Sequence, residues 1–413
     1  MQVMMLRISR FLPVLGCFVL LFSATGCSSP TKSAQPTYHR QLNPGEHALR
    51  RVDPSEVRAH LVTAFDDRDS GLSRALDQSA VWYAAPSSQN RFPFQTQNGP
   101  ISHDQARKSV VALKESLESS VNGERFAQSV LARFDVYQTV GWDSEGTVLF
   151  TGYYAPIFEG SPVRTERFDH PIHRRPDWLL TCPEGVPFGR RLANGRIVDS
   201  PERHEIESTG MLEGTELCWL DTKLDAYICQ VNGSACIRYP DGSLHHVGYA
   251  GKTEHPYTGL GASMLEAGLM TKDGLSLDAI QSYNERDPHT INRMIARNKN
   301  FVFFQHYPGD SWPAGSLGVP VTDRASIATD KSVYPPGAVA LVDTDVVDGS
   351  GGKRPFVRLV CDQDTGGAIV APGRCDLFMG IGPEARTLAG GQYAEGTMYY
   401  FFLKPTIVAS YDD

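Results

Sequence analysis

QDTGGAIVAPGRCDLFMGIG, residues 363–382, is the stretch on which the reading of this chain turns. Two carboxylates stand on either side of a reversal. Asp364 follows the apolar run 356–360, whose composition is that of a buried strand. Asp364-Thr365-Gly366-Gly367 is then turn-like, with the aspartate placed to accept hydrogen bonds from the backbone amides ahead of it. The Pro372-Gly373 turn leads into Asp376-Leu377-Phe378-Met379. Beside Leu377 and Phe378 the Asp376 carboxyl is expected to lose water. Desolvation favours the protonated acid, the state that donates to a leaving oxygen. The residues alone leave Asp364 open as turn former or catalytic carboxylate, and leave a catalytic role for Asp376 open as well.

Working outward, strand-like runs recur at 301–304, 338–342, 356–360 and 398–403, with only short helical signals between them. That pattern argues against a doubly wound parallel sheet. Upstream, the texture changes at Thr147, where 148–154 reads as a buried strand. From there to about Gly259, short runs alternate with Gly, Pro, Asp and Asn; 226–231 and 236–239 are predicted strands, the latter followed by the turn Asp241-Gly242. A small barrel or sandwich fits this spacing. Ile280 belongs to a helical interval that restarts at Asp287-Pro288, with Ile291, Met294 and Ile295 as its stripe.

The first folded hundred residues are predicted to be mainly helical. Asp53-Pro54-Ser55-Glu56 is a helix start, and Ser102 with Gln105 repeats the device before Val110, Leu113 and Leu117. A third helix follows Gly123 with Phe126, Val130 and Phe134. The bottom-up fold class is a β-rich body preceded by helices.

Of 413 residues, 41 % are apolar and 21 % charged, with a formal charge of −8. The N-terminus has Arg7 and Arg10, an apolar run at 11–22, then Ala24-Thr25-Gly26-Cys27. This reads as a signal peptide, 1–26, too short in its apolar core to span a bilayer as an ordinary helix. The small-small-Cys ending resembles a lipobox, so Cys27 is the expected lipidation site, and Ser28 resembles the signal for the outer membrane. Residues 27–48, rich in Ser, Thr, Pro and Gln, are expected to form a flexible tether. Loss of the leader takes the charge to −10, which argues against nucleic acid or a polybasic membrane surface. Cys182, Cys218, Cys229, Cys236, Cys361 and Cys375 permit up to three disulfides.

Dinucleotide and Walker loops, H-E-x-x-H and G-x-S-x-G are absent, and the 12 His form no convincing metal pair. His245-His246 is read as a surface doublet with diverging side chains. No metal and no cofactor is expected. Carboxylate chemistry remains.

The quoted stretch resembles the C-terminal 3D segment of the membrane-bound lytic murein transglycosylase A (MltA) family. Its three aspartates would be Asp330 in SIATDKSVYPPG, Asp364 in QDTGG and Asp376 in DLFMGIG. TGYYAPIFEGS (151–161), PIHRRPDWL (171–179), YICQVNGSACI (227–237), VGYAGKTEHPYTGLG (247–261), NKNFVFF (298–304) and GSLGVPVTDRASIATD (315–330) resemble further family motifs, in the family's order. Three features depart from it. Ser234-Ala235 stands where Ser-Gly is usual, PERHEI (201–206) matches only loosely, and the turn between Asp364 and Asp376 is one residue longer.

The resemblance implies a double-psi β-barrel-like domain from 49–155 and 300–408, with its 3D segment at about 315–390. A smaller β-barrel domain with helices is inserted at 156–299, and a groove lies between the two. It implies cleavage of the β-1,4 bond between N-acetylmuramic acid and N-acetylglucosamine, leaving a 1,6-anhydromuramoyl end. Asp376 would act as general acid and then base, Asp364 would support it, and Asp330 would organise a turn. Tyr153, Tyr154, Gln230, Ser234, Tyr249 and Lys252 are the expected substrate-binding residues. Peptidoglycan glycan strands, a membrane reached through the lipid anchor and a cell-wall synthesis complex are the implied partners, at the periplasmic face of the outer membrane. The chemistry alone also admits a hydrolase with paired aspartates, or a non-enzymatic peptidoglycan-binding lipoprotein.

Overall fold

The computed structural model describes residues 36–182, 185–271, 274–307, 312–367 and 369–411. The expected signal peptide and Cys27 lie outside the described residues.

The Asp364 strand, Lys353–Asp364, pairs antiparallel with Val339–Val347, which pairs with Tyr393–Leu403. Tyr393–Leu403 meets Val148–Ala155, whose other edge runs parallel to Arg374–Ile381, the Asp376 strand. The short strand Ser326–Ala328 closes the ring, antiparallel to Arg374–Ile381 and parallel to Lys353–Asp364. Six strands thus form a closed barrel with no free edge, the double-psi-like body implied by the resemblance. Leu49–Val52 and Phe134–Thr139 extend it from Tyr393–Leu403.

Helices Arg58–Asp66, Ser70–Ala84, His103–Ser119 and Gly123–Arg133 pack into the same core as the barrel strands. Their starts are local chemistry. Asp53 and Glu56 form a capping box, and Ser102 accepts from the Gln105 amide. The expected tether ends earlier than 48. Tyr38 donates to Glu395 at 2.9 Å and packs edge-on against Trp142, Leu42 packs on the core, and Ala48 is buried. Aromatic and aliphatic contacts outweigh the polar composition there.

The second barrel runs Val302–Tyr307, Leu244–Lys252, Ser234–Arg238, Ile157–Ser161, Glu216–Leu220, His170–His173. A bridge from Arg174 to Phe304 joins its two ends. Residues 226–231 are not a strand but the heart of the helix Lys223–Asn232. Thr222 caps its start, Gly233 ends it in the left-handed conformation, and Leu224, Tyr227 and Ile228 face its core. Helical spacing and caps prevail over the β-branched and aromatic content. The six cysteines are free thiols, five of them buried.

Candidate active site

One residue relates the two aspartates of the quoted stretch. Ala328 stands opposite Asp376 on one side and opposite Asp364 on the other. Asp376 is in turn opposite Thr151. Thr151, Asp376, Ala328 and Asp364 therefore form a row across four adjacent strands. Because side chains in register share a face, the small Ala328 stands between the two aspartates on that face.

Asp376 is held on one oxygen. Thr151 Oγ1 donates to its Oδ1, and Arg374 Nη2 donates to the same atom at 3.2 Å. Arg374 Nη2 also donates to Thr151 Oγ1 at 3.1 Å, so the three side chains close a triangle. The Asp376 side chain is 15 % exposed.

Asp364 ends its strand, and its Oδ1 accepts from the Ser316 and Thr365 backbone amides, both at 2.8 Å. Crowding by neighbouring atoms removes water and raises its pKa, although part of its surface stays open. The two amides and the Tyr153 hydroxyl oppose that rise. Asp364 thus forms the turn, and its strand position places it in the row. Tyr153 connects the two acids. Its buried hydroxyl lies against Asp364 without reaching the geometry of a full hydrogen bond. Burial first, then Asp364 and Asp376, push its pKa well above that of an ordinary phenol. Its part-exposed ring packs on Phe378 at 5.2 Å.

Asp330 lies outside the row. Its Oδ1 accepts from the Ser332 amide and hydroxyl, and its Oδ2 accepts from the Ala371 amide at 2.7 Å. Ala371 has φ 69°, a conformation unfavourable to a residue with a Cβ. The Asp330 carboxylate thus pins the turn that leads into Asp376.

Sequence reasoning missed four polar or aromatic contributors. Asp362 is fully buried, paired with Lys331, and accepts from Thr329 at 2.7 Å and Tyr400 at 2.8 Å. The Lys331 ammonium also lowers the Asp364 pKa slightly. Arg374 carried one usable signal, since positions 374 and 376 share a strand face. Trp312 packs with Tyr153 and Phe378. His246 of the inserted barrel tilts over Trp312 at 4.8 Å, while His245 stacks on Tyr239 at 3.9 Å. The doublet diverges as expected. Both rings stay part-exposed, each packed on an aromatic neighbour.

The remaining expected binding residues are dispersed. Tyr154 is partly buried against the main core, and burial raises its pKa. Tyr249 is 45 % exposed on Leu244–Lys252, which also exposes Lys252; Ser234 opposite Gly248 lies close by. Gln230 corrects the expectation. It is buried, and its amide oxygen accepts from Arg203 at 2.6 Å. Arg203 also donates to the Asn298 and Asn300 carbonyls, and its pairing with Gln230 serves the inserted barrel's interior. A cavity of about 380 Å³ there is lined by Asp169, His173, Arg203, Glu207 and Gln230, away from the aspartate row. Among the described residues no cluster of His, Cys, Asp and Glu has the arrangement of a metal site.

Residues 149–305 match the MltA specific insert domain and residues 325–402 match the 3D domain. Membrane-bound lytic murein transglycosylase A of Escherichia coli K12 is 33 % identical over 261 residues, 62 % of this chain and 66 % of that protein, just under two thirds of its length. The Vibrio cholerae protein of the same name is 31 % identical over 269 residues, 63 % of this chain and 68 % of its own. The crystal structure of E. coli MltA with bound chitohexaose superposes with a TM-score of 0.61 at 23 % identity, covering 91 % of this chain and 98 % of that one. The closed ring and the barrel inserted into it agree with these likenesses, and the chain belongs to the membrane-bound lytic murein transglycosylase A family.

Proposed function

We propose that this protein is a peptidoglycan lytic transglycosylase. It cleaves the β-1,4 bond between N-acetylmuramic acid and N-acetylglucosamine and forms a 1,6-anhydromuramoyl end. The observation that carries the reading is the four-strand row, which sets a part-exposed Asp376 one strand away from Asp364, with the Tyr153 hydroxyl feeling both carboxyls. Asp376 gives its proton to the glycosidic oxygen as the C1–O bond breaks and an oxocarbenium-like centre develops. The resulting carboxylate then takes the C6 hydroxyl proton as that oxygen attacks C1. One carboxyl performs both steps, and no water enters. Asp364 supports the developing positive charge, and Asp330 keeps the turn in place.

The related E. coli MltA has been crystallised with chitohexaose, a glycan oligomer, which supports a sugar-chain substrate here. Tyr153 and Tyr154 from the ring and Ser234, Tyr249 and Lys252 from the inserted barrel are the proposed glycan contacts. The inserted body extends past the expected 299/300 division, because Val302–Tyr307 pairs within its sheet. The relatives' membrane-bound names support attachment to a membrane. A lipid on Cys27, anchoring the enzyme at the periplasmic face of the outer membrane, is the proposed means.

A second reading makes Asp364 the acid, since its raised pKa favours a protonated carboxyl. Turnover of Asp376→Asn beside Asp364→Asn decides between them. Losing both proton transfers is expected to cost Asp376→Asn roughly 10²–10⁴-fold in kcat. Asp364→Asn should fall less. A near-normal Asp376→Asn with an inactive, folded Asp364→Asn would reverse the assignment.

A further inference from the structure

We propose that Arg374 is a positioning residue that fixes Asp376 by its Oδ1 oxygen, leaving Oδ2 as the atom that gives and then recovers the proton. This rests on the reading of Asp376 as acid and base. The two residues are two positions apart on one strand, so their side chains share a face. Oδ1 receives both the Thr151 hydroxyl and Arg374 Nη2, and the same Nη2 orients Thr151. Among the described residues nothing hydrogen-bonds Oδ2. The carboxyl plane is therefore held from one side, with its other oxygen available to substrate.

Arginine suits this place for a geometric reason. One guanidinium nitrogen serves two acceptors within a rigid plane, which a flexible ammonium does not reproduce. The Arg374 Nε–H is buried and has no hydrogen-bond partner, so the side chain's polar contacts are concentrated at the Thr151–Asp376 end.

The charge also has a use in the cycle. Before bond cleavage Oδ2 carries the proton. Cleavage of C1–O moves that proton to the leaving oxygen and leaves Asp376 as a carboxylate beside the guanidinium. Attack of the C6 oxygen on C1 returns a proton to Oδ2. Arg374 holds the carboxylate in one orientation between these transfers, and no other reactant is required. The Tyr153 hydroxyl, which feels the Asp376 charge, is held neutral by burial, and Cys375 is buried in the core on the opposite face of the strand, so Arg374 is the charged partner at contact distance.

The test is steady-state kinetics of the full chain in detergent on purified glycan strands, with Arg374→Met, Arg374→Lys and Asp376→Asn compared. A hydrogen bond to a charged group corresponds to roughly 10- to 100-fold in rate. Arg374→Met is expected to lose kcat by about that factor with KM nearly unchanged. Arg374→Lys should restore only part of kcat. A folded Arg374→Met with wild-type kcat overturns the proposal. If Arg374→Met fails to fold, a fully active Arg374→Lys overturns it, and a slowed one with unchanged KM supports it. Asp376→Asn separates the two levels. If it is inactive while Arg374→Met is normal, only the positioning role falls; if it is active, the acid assignment falls too.

Discussion

The two barrels treat buried charge in opposite ways. In the ring, Asp362 is buried with Lys331 as its ion partner, directly below a row of carboxyls that remain partly open. In the inserted barrel, Arg203 is 2 % exposed, yet its guanidinium reaches mainly neutral acceptors, the Asn298 and Asn300 carbonyls and the Gln230 amide. Glu207 meets it from the side at 3.2 Å. The polar interior of the ring thus supports groups that face outward. That of the inserted barrel is consumed by its own fold, and what it presents is surface: Tyr249 and Lys252.

Removing the buried cation from each barrel tests the contrast first. Lys331→Met strands the Asp362 carboxylate, and breaking a buried pair this way typically costs about 3–5 kcal/mol. Arg203→Met strands neutral acceptors, at about 1–3 kcal/mol each. With three such acceptors, denaturant unfolding should show a loss for Arg203→Met at least as large as that for Lys331→Met. Only Lys331→Met should also slow turnover in the folded fraction, since Lys331 acts on Asp364. Equal losses of activity in the two folded variants would erase the contrast.

Acidification should weaken the inserted barrel before the ring. Burial lowers the His173 pKa to about 4, with Glu216 and Glu207 opposing. An unfolded histidine titrates near ~6.5. Between these values the unfolded chain binds the extra proton, so stability rises with pH across that window and is lost as pH falls through it. The loss amounts to at most about 3 kcal/mol. Hydrogen exchange of the inserted strands at pH 7 and pH 4.5 should show it, and His173→Gln should flatten the response. An unchanged slope in that variant would remove His173 from the account.

The smallest effects separate structure from binding within one barrel. Gln230→Leu should lower stability by about 1.5–3 kcal/mol through its lost bond to Arg203, with KM unchanged. Tyr249→Ala should leave stability alone and raise KM about 3- to 10-fold, as the loss of an aromatic face does. A KM effect at Gln230 with none at Tyr249 would invert the assignment.

What was legible in the sequence was local. The Asp53 and Ser102 caps, the strand runs and the reversal between the two aspartates depend on residues a few positions apart. Residues 226–231 misled because Tyr227, Ile228 and Val231 suit a strand, while the caps at Thr222 and Gly233 lay outside the window. The row through Thr151, Ala328, Asp364 and Asp376 could not be read, because register between strands so distant along the chain is set by the barrel's closure. The Lys331–Asp362 pair was hidden for the same reason, and Arg374 was within reach but unread.

The central claim, one carboxyl and no water, is tested most directly by mass spectrometry of the products released from purified sacculi by the wild type and by Asp376→Asn. The account predicts 1,6-anhydromuramoyl ends, lighter than the hydrolytic product by a water molecule, from the wild type, and almost none from the variant. Reducing muramic acid ends from the wild type, or the same anhydro products from folded Asp376→Asn at a comparable rate, would contradict it.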